Sequence, residues 1–363
     1  MRLTVSRVLA TTFLLLLGWY VFFWAPEWAA PHAPESRWTY TPPPEPVEAL
    51  PVFPPVGKTF VGVQTRTGVH DFGDAERFAA STGVQPRVYE FSQGWAVDEF
   101  DARTINKVAA RGMLPLMSWE PWDFRDEPTE DRGRSEQPEF RLSTIIRGEF
   151  DPYIRSWAEG IAELGYPVAI RLGHEMNSYW YPWCEQSNGN RPGEFTGMWR
   201  HVHDIFTAAG ATNVIWVWSP NVVYSGSTAL TALYPGDEYV DWIGVSGYYG
   251  TGGQRSYLSF NDIFGPTLRE LIAISRHPLV ITEVAATDAI GRQAEWISQM
   301  FRSLPEYPGI IGLIWFESER EIDWRIAGAP DAALAFRTGA AGERFDAPWS
   351  PYTRPLTAAL GPP

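Results

Sequence analysis

Eight short apolar runs, each followed by a longer stretch, are the feature of this sequence that most narrows its fold. They cover residues 59–63, 85–90, 113–118, 167–172, 213–218, 240–246, 278–282 and 310–316. Between them lie segments such as 150–164, 193–209, 264–275 and 292–304, with apolar residues at helical spacing. Strands buried on both faces read as continuous apolar runs, because helices cover one side and other strands face the second. Eight strand and helix repeats therefore predict an α/β fold of the (β/α)₈ barrel type over residues 58–355. An open, doubly wound sheet is the competing fold, and it would carry a Gly-rich phosphate loop after its first strand. Gln64-Thr65-Arg66-Thr67-Gly68 stands in that place instead.

The N-terminus predicts export. Arg2 and Arg7 precede an uncharged run over residues 8–25 that ends in Trp19, Tyr20, Phe22, Phe23 and Trp24. A helix of that length would measure about 27 Å, close to the thickness of a bilayer core. Residues 1–25 are thus expected to be a signal anchor or signal peptide, with the arginines inside and the remaining chain outside. No small-x-small cleavage triplet is evident, which favours a retained anchor over a secreted form. Residues 26–57 include Pro42, Pro43, Pro44 and Pro46 and keep no hydrophobic period, so they read as an extended linker.

Charge and composition remove several functions. With 29 Lys and Arg against 43 Asp and Glu, the net charge of -14 excludes a phosphate-backbone partner, which would need a basic patch. Cys184 is the single cysteine, so no intrachain disulfide forms, and it reads as a small buried hydrophobe. His201-Val202-His203-Asp204 invites a metal reading, but residues two apart on a helix do not share a face. His174-Glu175 lacks the second histidine four positions on that a zinc-protease helix needs. Ser219 and Ser246 have no histidine and acid placed to activate them. Neither a metal nor a cofactor is expected. The 18 Trp in a chain that is 15% aromatic suit the flat faces of sugars as well as a core.

Active residues of such barrels sit where strands end. The third run exits into Trp119, Glu120 and Trp122, the fourth into His174, Glu175 and Asn177, and the seventh into Thr282-Glu283. Glycoside cleavage needs one carboxyl to protonate the leaving oxygen and another to support the cationic centre. Glu175 and Glu283, on opposite walls of the mouth, are candidates for that pair.

Arg171-Leu172-Gly173-His174-Glu175-Met176-Asn177-Ser178-Tyr179-Trp180 resembles the strand-four signature of glycoside hydrolase family 26, R-x-x-H-E-M-N-G-x-W. Trp218-Ser219-Pro220-Asn221, the segment from Asp241 to Tyr248, Ile281-Thr282-Glu283 and the ending from Trp315 to Arg325 support the resemblance. The family's glycine is Ser178 here, and Pro182 interrupts the aromatic run 180–183. The resemblance implies a retaining (β/α)₈ enzyme, with Glu175 as acid/base and Glu283 as nucleophile. Tyr248 matches the tyrosine beside the nucleophile, and Arg171 is expected to support the carboxylates. His174, Asn177, Trp180 and Trp315, with Trp119 and Trp122 as further candidates, are expected to contact the sugar. The implied partner is a polysaccharide, most readily β-1,4-mannan cut internally. Mixed-linkage β-glucan, as for lichenases, or an exopolysaccharide trimmed during export are the alternatives, and a glycan-binding barrel without catalysis is the competing class. A monomer is expected, attached to the membrane through the N-terminal helix.

Overall fold

In a computed structural model, residues 50–128, 133–320 and 322–357 are described. Eight parallel strands close into a barrel in chain order. They are β1 (Phe60–Thr65), β2 (Val88–Gly94), β3 (Leu114–Glu120), β4 (Val168–Leu172), β5 (Val214–Trp218), β6 (Trp242–Tyr249), β7 (Leu279–Ala286) and β8 (Ile310–Glu317). β8 pairs back onto β1 from Phe60 opposite Gly312 to Thr65 opposite Glu317, which closes the ring. Each apolar run became a strand, and several strands extend past the run toward their C-terminal ends.

Seven longer helices wrap the barrel: α1 (Gly73–Thr82), α2 (Ala102–Ala109), α3 (Asp151–Ala162), α4 (Glu194–Ala208), α5 (Gly265–Ile274), α6 (Gln293–Ser303) and α7 (Pro330–Gly339). The crossover from β5 to β6 holds no long helix, just the four-residue helix Leu230–Leu233 and a 3-10 turn at Asp237–Tyr239. Local sequence sets the helix ends. Asp101 caps α2 by accepting from the Arg103 N–H at 2.9 Å, and Gly83 ends α1 in the left-handed conformation.

Alternation along the strands makes two cores. Phe60, Val88, Leu116, Ala169, Val217, Trp242, Val280 and Ile314 fill the barrel, while Trp119, Trp157, Trp199, Trp218 and Trp296 belong to the larger core outside it. Segments from before the first barrel strand and after the last helix close the floor. Val52–Phe53 pairs in parallel with Arg354–Pro355, Phe53 stacks on Phe60 at 5.4 Å, and Trp242 Nε1 donates to the Leu356 carbonyl at 2.9 Å. The folded unit thus takes in residues from Val52, upstream of the expected start at residue 58.

The proposed N-terminal anchor and most of the linker lie outside the described residues. Among the described residues no helix is long and apolar enough to cross a membrane.

Candidate active site

Above the apolar filling, the barrel interior turns polar around Arg171. This β4 side chain is wholly buried. Its Nε donates to Ser219 Oγ at 3.0 Å, and its Nη1 donates to Glu90 Oε1 at 2.9 Å and also to Glu283 Oε1. Nη2 donates to Ser246 Oγ at 2.5 Å. Burial alone would make the guanidinium easier to deprotonate, but Glu283 and Glu90 outweigh it and hold the charge firmly in place. Room for this layer comes partly from Gly244, where a Cβ would lie 2.6 Å from Ser219 Cβ and 2.8 Å from Thr282 Cγ2.

Glu283 reaches the interior through a bulge. Against β6, Val245 pairs with Ile281 but the next residue, Ser246, pairs with Glu283, so one extra residue is inserted in β7. Thr282 and Glu283 can therefore both face inward: Thr282 Oγ1 lies 2.7 Å from Ser219 Oγ while Glu283 meets Arg171. The second oxygen, Oε2, accepts from the Tyr248 hydroxyl. Burial, with the Glu283 charge adding to it, pushes that hydroxyl well above the ordinary tyrosine range, so it stays a donor. Two donors on two oxygens suit a carboxylate anion.

Glu175 is positioned by backbone as much as by side chains. Gly173 (φ 49°) and Glu175 itself (φ 54°) take left-handed conformations that turn the chain sharply out of β4. The Glu175 N–H donates to the Ser219 carbonyl at 2.7 Å, and Trp183 Nε1 secures the His174 carbonyl at 2.7 Å. Its carboxyl accepts from Asn221 Nδ2 at Oε1 and from Trp180 Nε1 at Oε2, each at 2.9 Å. Burial first, and the Glu283 charge second, push Glu175 up to about 7. The two carboxyl groups thus sit in different surroundings, Glu283 clamped by a buried guanidinium and a tyrosine hydroxyl, Glu175 held by two neutral donors and pushed up.

Further groups complete the cleft. His174 is buried, with Nε2 3.3 Å from the Tyr181 hydroxyl, and burial reinforced by Arg171 holds its imidazole neutral. Glu120 is pushed up by burial and accepts from Trp122 Nε1 at 2.8 Å. Phe316 and Trp324 flank Tyr248 at 5.7 and 5.0 Å between ring centres, and the Arg320 guanidinium lies 5.2 Å from the Phe316 ring centre. No group of three or more potential metal ligands occurs among the described residues. His201 pairs instead with Asp151 at 2.7 Å, and His203 packs on Trp216 and Tyr239.

The sequence model of the family described as Glycosyl hydrolase family 26 matches residues 136–324, more than half the chain and the stretch that carries both glutamates. The chain belongs to glycosyl hydrolase family 26. Endoglucanase H of Acetivibrio thermocellus is 33% identical over 303 residues, 76% of this chain but 32% of that protein. A mannan endo-1,4-beta-mannosidase of Bacillus subtilis is 24% identical over 243 residues, 60% of this chain and 62% of the relative. The chain therefore spans less than two thirds of the length of either relative. Among solved structures, a family 26 beta-mannanase from Bacteroides ovatus superposes with a TM-score of 0.60 at 17% identity, over 82% of this chain and 93% of that one. A Bacillus subtilis mannanase superposes with a TM-score of 0.58 at 19% identity, over 84% and 91%. These two likenesses concern the fold.

In this family 26 barrel, Glu175, Glu283, Arg171, Tyr248, His174 and Trp180 converge on one mouth. Four other candidates lie elsewhere or act differently. Trp119 alternates with the inward Ser118, so it points outward and packs between Trp95, Tyr153, Trp157 and Phe206. Trp315 likewise points away from the cleft, against Phe336 of α7, and is wholly buried. Neither presents a face to a sugar. Trp122 is nearly buried, edge-on to Tyr181 and Trp183, and contributes its indole N–H to Glu120. Asn177 is also fully buried and does not face the cleft. Its side chain accepts from the Asn221 N–H at 2.9 Å and donates to the Asn221 carbonyl at 3.0 Å, gripping the residue that touches Glu175.

Two functional neighbours were not singled out from the sequence. Asn221 was visible only as the end of Trp218-Ser219-Pro220-Asn221. Glu90 had a clearer signal: a lone carboxylate in Val88-Tyr89-Glu90-Phe91, an otherwise apolar run.

Proposed function

We propose that this chain is a retaining β-glycoside hydrolase that cleaves a polysaccharide internally, with β-1,4-mannan as the leading substrate. The observation that carries the reading is the asymmetry of the two carboxyl groups. Glu283 meets a buried guanidinium and a tyrosine hydroxyl, whereas Glu175 is pushed up to about 7 by burial and by the Glu283 charge.

In the first step Glu283 attacks the anomeric carbon while the glycosidic C–O bond breaks and Glu175 gives its proton to the departing oxygen. The glycosyl ester removes the charge on Glu283, and with it the second cause that raises Glu175. Glu175 then retains negative charge more readily and takes a proton from water as that water attacks the anomeric carbon and releases Glu283. Trp180 and Asn221 hold the carboxyl oriented through both steps. Tyr179, exposed beside Trp180 with ring centres 5.5 Å apart, extends the aromatic surface on the acid's side of the cleft.

A mixed-linkage β-glucan is the second reading, favoured by the 33% identity with Endoglucanase H across 303 residues. Export through the N-terminal segment would place the catalytic domain where such polymers occur. The test is to offer mannan, lichenan, laminarin, xylan and bacterial exopolysaccharides and to measure reducing ends. Hydrolysis of mannan, lost in Glu283→Ala, is expected. Binding of an intact glycan with no hydrolysis of any polymer would overturn the enzyme reading in favour of a glycan-binding barrel.

A further inference from the structure

We propose that Glu90 is the counter-carboxylate of the catalytic cycle: it keeps Arg171 paired while Glu283 is tied up as a glycosyl ester. The proposal rests on the double-displacement reading above.

The geometry places Glu90 where only such an indirect role is open to it. It stands on β2 with no exposed surface, so it cannot touch a sugar. Its Oε1 accepts from Arg171 Nη1 at 2.9 Å, the same nitrogen that donates to Glu283 Oε1, and from Ser118 Oγ at 2.6 Å. Its Oε2 is buried with no hydrogen-bond partner. Two carboxylates from β2 and β7 thus share one guanidinium from β4. The other side chains bonded to that guanidinium are neutral hydroxyls: Ser118 on β3, Ser219 after β5 and Ser246 on β6. Two other nearby carboxyls are bonded elsewhere, Glu175 to Asn221 and Trp180 and Glu120 to Trp122.

A buried guanidinium stripped of its ionised partner is strongly unfavourable. When Glu283 bonds to the anomeric carbon, its negative charge is lost from the Arg171 pair, and Glu90 is the one carboxylate still hydrogen-bonded there. Before that step the two carboxylates repel each other across the shared nitrogen. Burial first, opposed by Arg171 and reinforced by Glu283, pushes Glu90 up to about 7. Formation of the ester relieves that repulsion and gives Glu90 sole possession of the cation. Glu90 exchanges no bond and no proton with substrate; it is a positioning residue acting through Arg171.

The consequence is a partition between two half-reactions. Glu90→Gln keeps the shape and an acceptor oxygen but cannot carry charge. It should destabilise the ester relative to the free enzyme, slowing ester formation and hastening ester hydrolysis, by about threefold each, so that the two changes multiply to about tenfold for one unit of lost differential interaction. A merely loosened site would slow both.

Full-length protein is incubated with 2,4-dinitrophenyl 2-deoxy-2-fluoro-β-mannobioside and with the β-cellobioside analogue. Activity loss reports ester formation, recovery after dilution reports hydrolysis, and mass spectrometry locates the label. A label on wild-type Glu283, with opposite changes in the two rates in Glu90→Gln, supports the proposal. No label from either probe, with an inverted anomer from the natural polymer, overturns double displacement and the Glu90 role together. A label on Glu283 with both rates slowed, or both unchanged, overturns the Glu90 role alone. Where Glu90→Gln does not fold by circular dichroism, Ser118→Ala removes a donor that favours the ionised form of Glu90. It should move the two rates in the same opposed directions by about twofold each, and an unchanged partition there refutes the assignment.

Discussion

Asn221→Ala tests how Glu175 is tuned, because it removes one of the two donors on that carboxyl while leaving the local backbone in place. Asn177 holds the Asn221 N–H and carbonyl, and neither bond involves the side chain that is deleted. The donor at 2.9 Å from Glu175 Oε1 favours the charged form, opposing the burial and the Glu283 charge that push the group up to about 7. A hydrogen bond to a charged group is worth about 1.5 to 3 kcal/mol, and about 1.4 kcal/mol corresponds to one pKa unit. Without Asn221, Glu175 should therefore titrate about one to two units higher, and the alkaline limb of kcat/KM should move upward by that amount. The assay is the pH dependence of kcat/KM on a substrate with a poor leaving group. A 2,4-dinitrophenyl glycoside, which needs little protonation, should show a much weaker alkaline limb and no comparable shift. A limb that stays within about half a unit of wild type, or moves to lower pH, would refute the tuning argument.

Tyr248→Phe deletes the hydroxyl on Glu283 Oε2 and should lower kcat/KM by about tenfold to a hundredfold, the value of one charge-assisted hydrogen bond, with little change in melting temperature. Arg171→Met leaves Glu90 and Glu283 buried without their shared cation; a loss of about 3 to 5 kcal/mol in chemical denaturation is expected, together with loss of activity. Glu317 is pushed up to about 7, chiefly by burial, although it accepts from the Ile326 and Ala327 N–H groups. Its folded form binds a proton more tightly than its unfolded form, so its contribution to stability is full below the unfolded value of 4.5 and is lost as pH rises through about 7. Glu317→Gln should therefore flatten the fall in melting temperature across that window, and an unchanged slope would contradict the assignment.

The barrel was legible because each strand carries its own apolar run, and because those runs alternate with helical periods. The two glutamates proposed for catalysis stood out through the sequence around them, and the structure brings both to one mouth. What periodicity did not show was direction. In a strand buried on both faces, apolar spacing no longer distinguishes inside from outside. Trp119 and Trp315 looked like cleft residues from their positions at strand ends, yet each alternates with an inward neighbour, Ser118 or Phe316. The β7 bulge had no sequence marker either, since Thr282 is an ordinary strand residue. Asn177 and Asn221 are the same residue type on adjacent loops. Only their placement in space shows that one grips a backbone and the other the Glu175 carboxyl. Lone charges inside apolar runs carry a signal of their own: Glu90 and Arg171 both interrupt such runs, and both belong to the buried ion network.

The left-handed backbone at Glu175 sets stability against function at a single position. A glutamate held there carries roughly 1 kcal/mol or more of backbone strain besides the burial of its carboxyl. Glycine or asparagine would relieve both. A library ranked on heat resistance alone would thus be drawn toward robust proteins that have lost hydrolysis, so any directed evolution of this barrel needs turnover in every round. The same drift, left unopposed, would trade the proposed acid for a sturdier barrel mouth.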